Sequence, residues 1–245
     1  LGSSKNDFDF HEKFVILFAE DFKNTFREYG KGDLTARNSP VFYIVLSMIY
    51  KSGIGYDEVK YLNFISIPLL IYVFYSCLKI QFKNINKNLL IFLSFLVCLS
   101  PTIRSLVVWP YPILYGFILF LFSIKYYLKF AYEKKEKIQN TLKSTFFLAL
   151  ASYITPTFCV FVIFFLYKFF LKLKFSKYFF YILGLNCLLA IPALIYYIIN
   201  DFYIFFNNVR PVDLNVKLNF FNKIIIILSL IFFYYIPFLN RELIK

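Results

Sequence analysis

Five stretches of this chain, at residues 61–79, 89–108, 111–128, 178–199 and 219–239, are apolar over about 20 residues each and carry few charges. An α-helix rises 1.5 Å per residue, so each is long enough to cross a hydrocarbon core of about 30 Å. In lipid the backbone must satisfy its own hydrogen bonds, and a helix does so within one segment. The chain is therefore expected to be all-α, a polytopic transmembrane helical bundle.

Composition agrees. Of 245 residues, 60% are hydrophobic and 23% aromatic, against about 45–50% apolar residues in soluble domains. A net charge of +13 does not make this a nucleic-acid-binding protein, because the lysines fall in short gaps between apolar runs rather than on one soluble face. Cys77, Cys98, Cys159 and Cys187 all lie inside apolar runs without metal-type spacing, so they read as small buried hydrophobes. The seven glycines form no phosphate-binding loop, and no nucleotide or other cofactor is expected. No internal repeat of the inverted-transporter type is visible.

The segment 144–172 contains Thr155-Pro156 near its middle and is long for a single helix. Two half-length helices turning at the proline are expected. Charge supports this choice. With a turn there, seven spans result, two of them short, and the gaps on one side hold 15 basic and 3 acidic residues against 12 and 11 on the other. The basic side is then cytoplasmic. Residues 1–56 form a non-cytoplasmic loop and 57–245 the transmembrane domain. This scheme calls for a further span ahead of Leu1, and the chain, which starts without Met, reads as a fragment.

Within the first loop, Phe14, Phe18, Phe22 and Phe26 recur every fourth residue, while Glu20, Asp21, Lys23, Asn24, Arg27 and Glu28 fill the other side. That spacing predicts an amphipathic helix over 11–29 suited to an interface. "VFYIVLSMIY" at 41–50 reaches only half the membrane and predicts a second interfacial or re-entrant helix. Asp57 and Glu58 are expected to cap the first span. Trp109, Tyr111 and Tyr115 fit an aromatic belt.

The outer side also carries Asp7, Asp9, His11 and Glu12, followed by Arg37, Arg104 and Arg210. Such a set can supply a carboxylate that removes a proton and cations that hold a phosphate. With a helix beginning near His11, Asp9 becomes its N-cap, and Glu12 three residues later completes a capping box. With an extended lead-in, Asp7 and Asp9 share one side. The plainer readings are a solvated mixed-charge loop, a structural His11, and an Arg104 that snorkels to the headgroups.

The order of these features resembles the GT-C class of membrane glycosyltransferases. "DFDFH" at 7–11 is similar to the acidic motif of the dolichol-linked glucosyltransferase branch, of protein O-mannosyltransferases and of aminoarabinose transferases. "NSPVFYIVLSMIYKSG" and the broken "YITPTF" resemble that class's short helices. The resemblance implies transfer from a polyprenyl-phosphate-linked sugar to a lipid, glycan or protein acceptor, in a multi-pass protein of the bacterial inner membrane whose site faces the periplasm or exterior. It implies Asp7, Asp9 and His11 as catalytic candidates, with Asp7 the base. Arg37, Arg104 and Arg210 become the candidates for the donor phosphate. Phe8 stands at the motif's second acidic position and Trp109 where some members carry an acid, so no metal site is expected. The rival reading is a transporter or lipid-flipping protein. It calls for ionisable residues near mid-membrane, which spans 61–79, 111–128 and 178–199 nearly lack. A third reading is a fragment with only a structural role.

Overall fold

The computed structural model describes residues 2–29, 39–108, 110–133 and 137–199. The last expected span, 219–239, and the loop around Arg210 lie outside these residues. Among the described residues all regular structure is helical: α1 (Gly2–Glu20), α2 (Phe22–Glu28), α3 (Pro40–Lys51), α4 (Tyr56–Gln81), α5 (Lys87–Leu96), α6 (Pro101–Val108), α7 (Pro112–Tyr132), α8 (Lys137–Ile154), α9 (Phe161–Leu173) and α10 (Lys177–Ile199).

Among the described residues four segments are long and apolar enough to cross a membrane, Asn63–Gln81, Pro112–Tyr132, Pro156–Leu173 and Lys177–Tyr196. The span expected at 89–108 is not continuous. After α5 the chain tightens into a short 3-10 turn, Val97–Leu99, and restarts as α6 at Pro101. A proline has no N–H to give the preceding turn, so the helix breaks where Pro101 stands.

Thr155-Pro156 is a turn. α8 ends at Ile154, Thr155 takes an extended backbone, and a 3-10 turn over Pro156–Val160 leads into α9. The Thr155 hydroxyl donates to the Pro112 carbonyl at 3.2 Å, while Lys172 Nζ donates to the Ala131 carbonyl at 2.6 Å. The start of α9 therefore lies by the beginning of α7 and its end by α7's last turn. α8 runs back along α7 to join the two ends, and all three helices share one core.

The α7–α8 seam is built of small side chains. Thr141, Ser144, Thr145, Leu148 and Ala151 are buried along one face of α8, at the three- and four-residue spacing of a helical stripe. Ser144 donates to the Ser123 carbonyl at 3.0 Å, and the two hydroxyls are 3.2 Å apart. Small residues let helix backbones approach where lipid offers no hydrophobic drive. Gly116 takes this furthest: a Cβ there would lie 2.5 Å from Thr155 Oγ1. α7 packs its Leu114, Ile118 and Leu121 against Leu70, Val73 and Cys77 of α4.

The N-terminal segment is two helices rather than one. α1 starts at Gly2, well before His11, and stops at Glu20. Asp21 leaves helical geometry and accepts from the Asn24 N–H at 3.1 Å, capping α2. Phe14 and Phe18 are buried, but beyond the break Phe22 is 45% exposed. The polar set from Glu20 to Glu28 is exposed as the pattern expects. Ser39 caps α3 through the Val41 N–H at 3.4 Å with Pro40 in the first turn, where its missing donor costs nothing. α1 and α3 share one core of Phe14, Val15, Phe18, Phe42, Tyr43 and Leu46.

Candidate functional site

At the end of the bundle where α4 and α7 begin, α1 and α3 bury a group of polar rings. His11 is 3% exposed and its Nδ1 lies 2.6 Å from the Tyr43 hydroxyl on α3. The imidazole also stacks on Tyr43 and meets Tyr111 edge-on with centroids 4.9 Å apart. A lone histidine in a helix of phenylalanines is held here because α1 needs an apolar face toward α3, and position 11 falls on that face one turn before Val15 and Phe14.

Next to it, Tyr115 of α7 donates to Asn63 Oδ1 at 2.8 Å, and Asn63 Nδ2 reaches the Leu106 carbonyl of α6 at 3.5 Å. Asn63 is wholly buried, so these bonds offset the cost of taking its amide out of water. Tyr56, at the start of α4, is buried as well. Its hydroxyl is held well above the ordinary tyrosine range, mainly by burial and then by negative charge on Tyr43, Glu12 and Tyr115. Tyr56 therefore stays protonated and able to donate.

The structure places the expected residues unevenly. His11 lies in the cluster. Asp9 is exposed on α1 and lies inside the helix, so it is not an N-cap and forms no capping box with Glu12; the helix begins at Gly2, ahead of the Phe10 start that reading required. Asp7 lies on α1 as well. Because α1 is continuous through both, positions 7 and 9 differ by about 200° around the axis, and position 7 shares a face with His11 four residues on. The extended alternative, with both aspartates on one side, does not occur. Arg104 is on α6, exposed and without a side-chain partner among the described residues. Arg37 and Arg210 lie outside the described residues.

Two other expectations change. The N-cap of α4 is Gly55, with no side-chain bond to it; Glu58 instead folds its carboxylate across the Gly55 Cα. Tyr111 and Tyr115 are not simply belt residues, since one meets His11 and the other bonds Asn63; Trp109 lies outside the described residues. Sequence reasoning passed over Tyr43, Tyr56 and Asn63. The signal available was Asn63 itself, an amide three residues into an otherwise apolar run. Among the described residues no group of acidic, histidine and cysteine side chains is arranged to hold a metal ion. No family model, curated protein or solved structure matches the chain.

Proposed function

We propose that the chain is a glycosyltransferase of GT-C type, moving a sugar from a polyprenyl-phosphate donor to a lipid, glycan or protein acceptor on the non-cytoplasmic face of the membrane. The observation that carries this reading is the unbroken helix α1, which sets position 7 one turn before a buried histidine. That end of the bundle is opposite the one where Lys129, Lys172 and Lys177 gather. If the lysine end is cytoplasmic, the His11 end faces outward, toward the periplasm of a bacterial cell. A seven-span chain, with 219–239 as its last span, completes the scheme.

In this mechanism Asp7 takes the proton of the acceptor hydroxyl as that oxygen attacks the anomeric carbon. The bond from that carbon to the phosphate oxygen breaks, and polyprenyl phosphate leaves with the electron pair. Arg104, Arg37 and Arg210 are the cations available to its developing charge. His11, locked by Tyr43, fixes α1 so that its carboxylate-bearing turn is held in place. The donor already carries an activated leaving group, so the reaction needs no nucleotide.

The test is sugar transfer by the purified chain from a radiolabelled polyprenyl-phosphate sugar. Asp7→Asn is expected to lower transfer by at least about 100-fold with helical content unchanged. Asp9→Asn, on the far side of α1, retains most of it. An active Asp7→Asn protein overturns the assignment.

A further inference from the structure

The opposite end of the bundle carries an arrangement that the proposed transfer does not use. Phe122, Lys125, Tyr126 and Lys129 occupy one face of α7 at the i, i+3, i+4, i+7 spacing. Phe147 of α8 stacks on Phe122 and Tyr126, with interplanar angles of 20° and 7°. Lysines surround this aromatic platform. Lys129 of α7 and Lys143 of α8 both set their ammonium groups over the Tyr126 ring, at 5.9 and 5.5 Å from its centroid. Lys125 lies over Tyr72 of α4 at 4.8 Å and over Phe122 at 5.7 Å.

Two cations drawn to one ring repel each other, and a ring face attracts an ammonium without accepting its three N–H bonds in full. Among the described residues none of these lysines is paired with a carboxylate. The acid nearest in sequence to Lys125 and Lys129 is the exposed Glu133 at the C-cap of α7, and the one nearest to Lys143 is Glu136. Lys125 is half-buried and sits seven residues before Tyr132, about 10 Å inside the end of a helix long enough to span a membrane. From that depth the ammonium reaches the interface only by extending its stem toward the helix end, where the phosphate of a lipid is the counter-group that comes nearest. Tyr72 and Phe146 flank the platform at 56% and 45% exposure, an apolar bed for acyl chains.

We propose that Lys125, Lys129 and Lys143, around the Phe122–Phe147–Tyr126 stack, form a binding site for the phosphate headgroup of an anionic phospholipid. The headgroup oxygens take the lysine N–H bonds and relieve the repulsion between Lys129 and Lys143. The aromatic stack lies under the glycerol region. Free phosphate shares the charge but gains nothing from the platform.

The experiment uses the full chain purified in detergent with equimolar phosphatidylglycerol and phosphatidylcholine, with bound lipid read by native mass spectrometry. Phosphatidylglycerol adducts are expected to exceed phosphatidylcholine adducts by about tenfold, and K125Q/K129Q/K143Q to bring the ratio close to parity. K143Q alone, at an exposed position, lowers the ratio by about threefold and keeps the test valid if the triple variant does not fold. K168Q/K177Q removes the same kind of charge from α9 and α10, each lysine lying over its own neighbouring ring, and leaves the ratio unchanged. Parity in the unaltered chain overturns the proposal, as does an equal loss in K168Q/K177Q. Displacement of the lipid by inorganic phosphate overturns the choice of lipid over free anion.

Discussion

His11 Nδ1 and the Tyr43 hydroxyl lie 2.6 Å apart in the buried seam between α1 and α3. The pair joins two helices across 32 residues of sequence by a hydrogen bond between two buried rings. Tyr43→Phe is expected to destabilise the chain by about 0.5–1.5 kcal/mol, the net contribution of a typical buried hydrogen bond. His11→Phe restores an apolar contact, so His11→Phe/Tyr43→Phe should be less damaging than the sum of the single changes. A double-mutant cycle on thermal unfolding in detergent reads the coupling, about 0.5–3 kcal/mol for groups in direct contact. Strict additivity would show that the bond contributes nothing.

Where α7 meets the turn between α8 and α9, Gly116→Ala would push a methyl group to 2.5 Å from Thr155 Oγ1 and 2.9 Å from its Cβ. Overpacking of this kind costs about 1–3 kcal/mol. Thr155→Ala removes the hydroxyl but not the Cβ, so it rescues Gly116→Ala only in part, while Thr155→Gly rescues it further. The order of the three melting temperatures checks this.

Tyr56 gives a pH signature. Its folded-state pKa is raised above the unfolded value of 10.0, so the stability it contributes is complete below that value and declines as pH rises through and beyond it. Thermal unfolding followed from neutral to strongly alkaline pH should fall less steeply in Tyr56→Phe than in the unaltered chain. Identical slopes would show that Tyr56 titrates as if exposed.

Asp21 separates α1 from α2 by taking the Asn24 N–H. Asp21→Ala should cost about 0.5–2 kcal/mol and Asp21→Asn only a fraction of that, as for other N-caps. Hydrogen exchange at Asn24 is the direct readout, with faster exchange expected in the alanine variant alone.

Sidedness is the prediction that bears on the membrane. On a background without native cysteines, cysteine at position 137 or 174 should be protected from an impermeant reagent in intact cells, while cysteine at 24 or 28 should react. Labelling of position 137 from outside would overturn the assignment of the lysine end to the cytoplasm.

Much of the helical layout was legible because it rests on single-residue causes. Apolar length marked α4, α7 and α10, and Pro156 marked the turn between α8 and α9. Pro101 has the same chemistry as Pro156 and was passed over, because unbroken hydropathy across 89–108 hides a break that depends only on one missing N–H. The stripe Phe14, Phe18, Phe22, Phe26 was read as one helix because periodicity does not register that Asp21 can stop a helix as well as decorate its polar face. The ring cluster was hidden for a different reason. Tyr43, Tyr56 and Asn63 are brought beside His11 by the packing of α1, α3 and α4, and no spacing along the chain encodes which tyrosine will meet it.

Tyr196 Oη reaches the Tyr29 carbonyl at 3.5 Å, and its ring lies 5.1 Å from Phe26, across 167 residues of chain. The ribosome makes α1 and α2 before α10, yet one wall against which α2 rests belongs to the last described helix. During synthesis α2 must therefore wait for this contact, with the early helices packed on α3 and the elements made before α10, until α10 has entered the membrane. The order of manufacture and the order of closure run in opposite directions. A chain halted before Tyr196 should accordingly retain the α1–α3 core while its α2 segment is open to protease, and the full chain should be cut there only slowly.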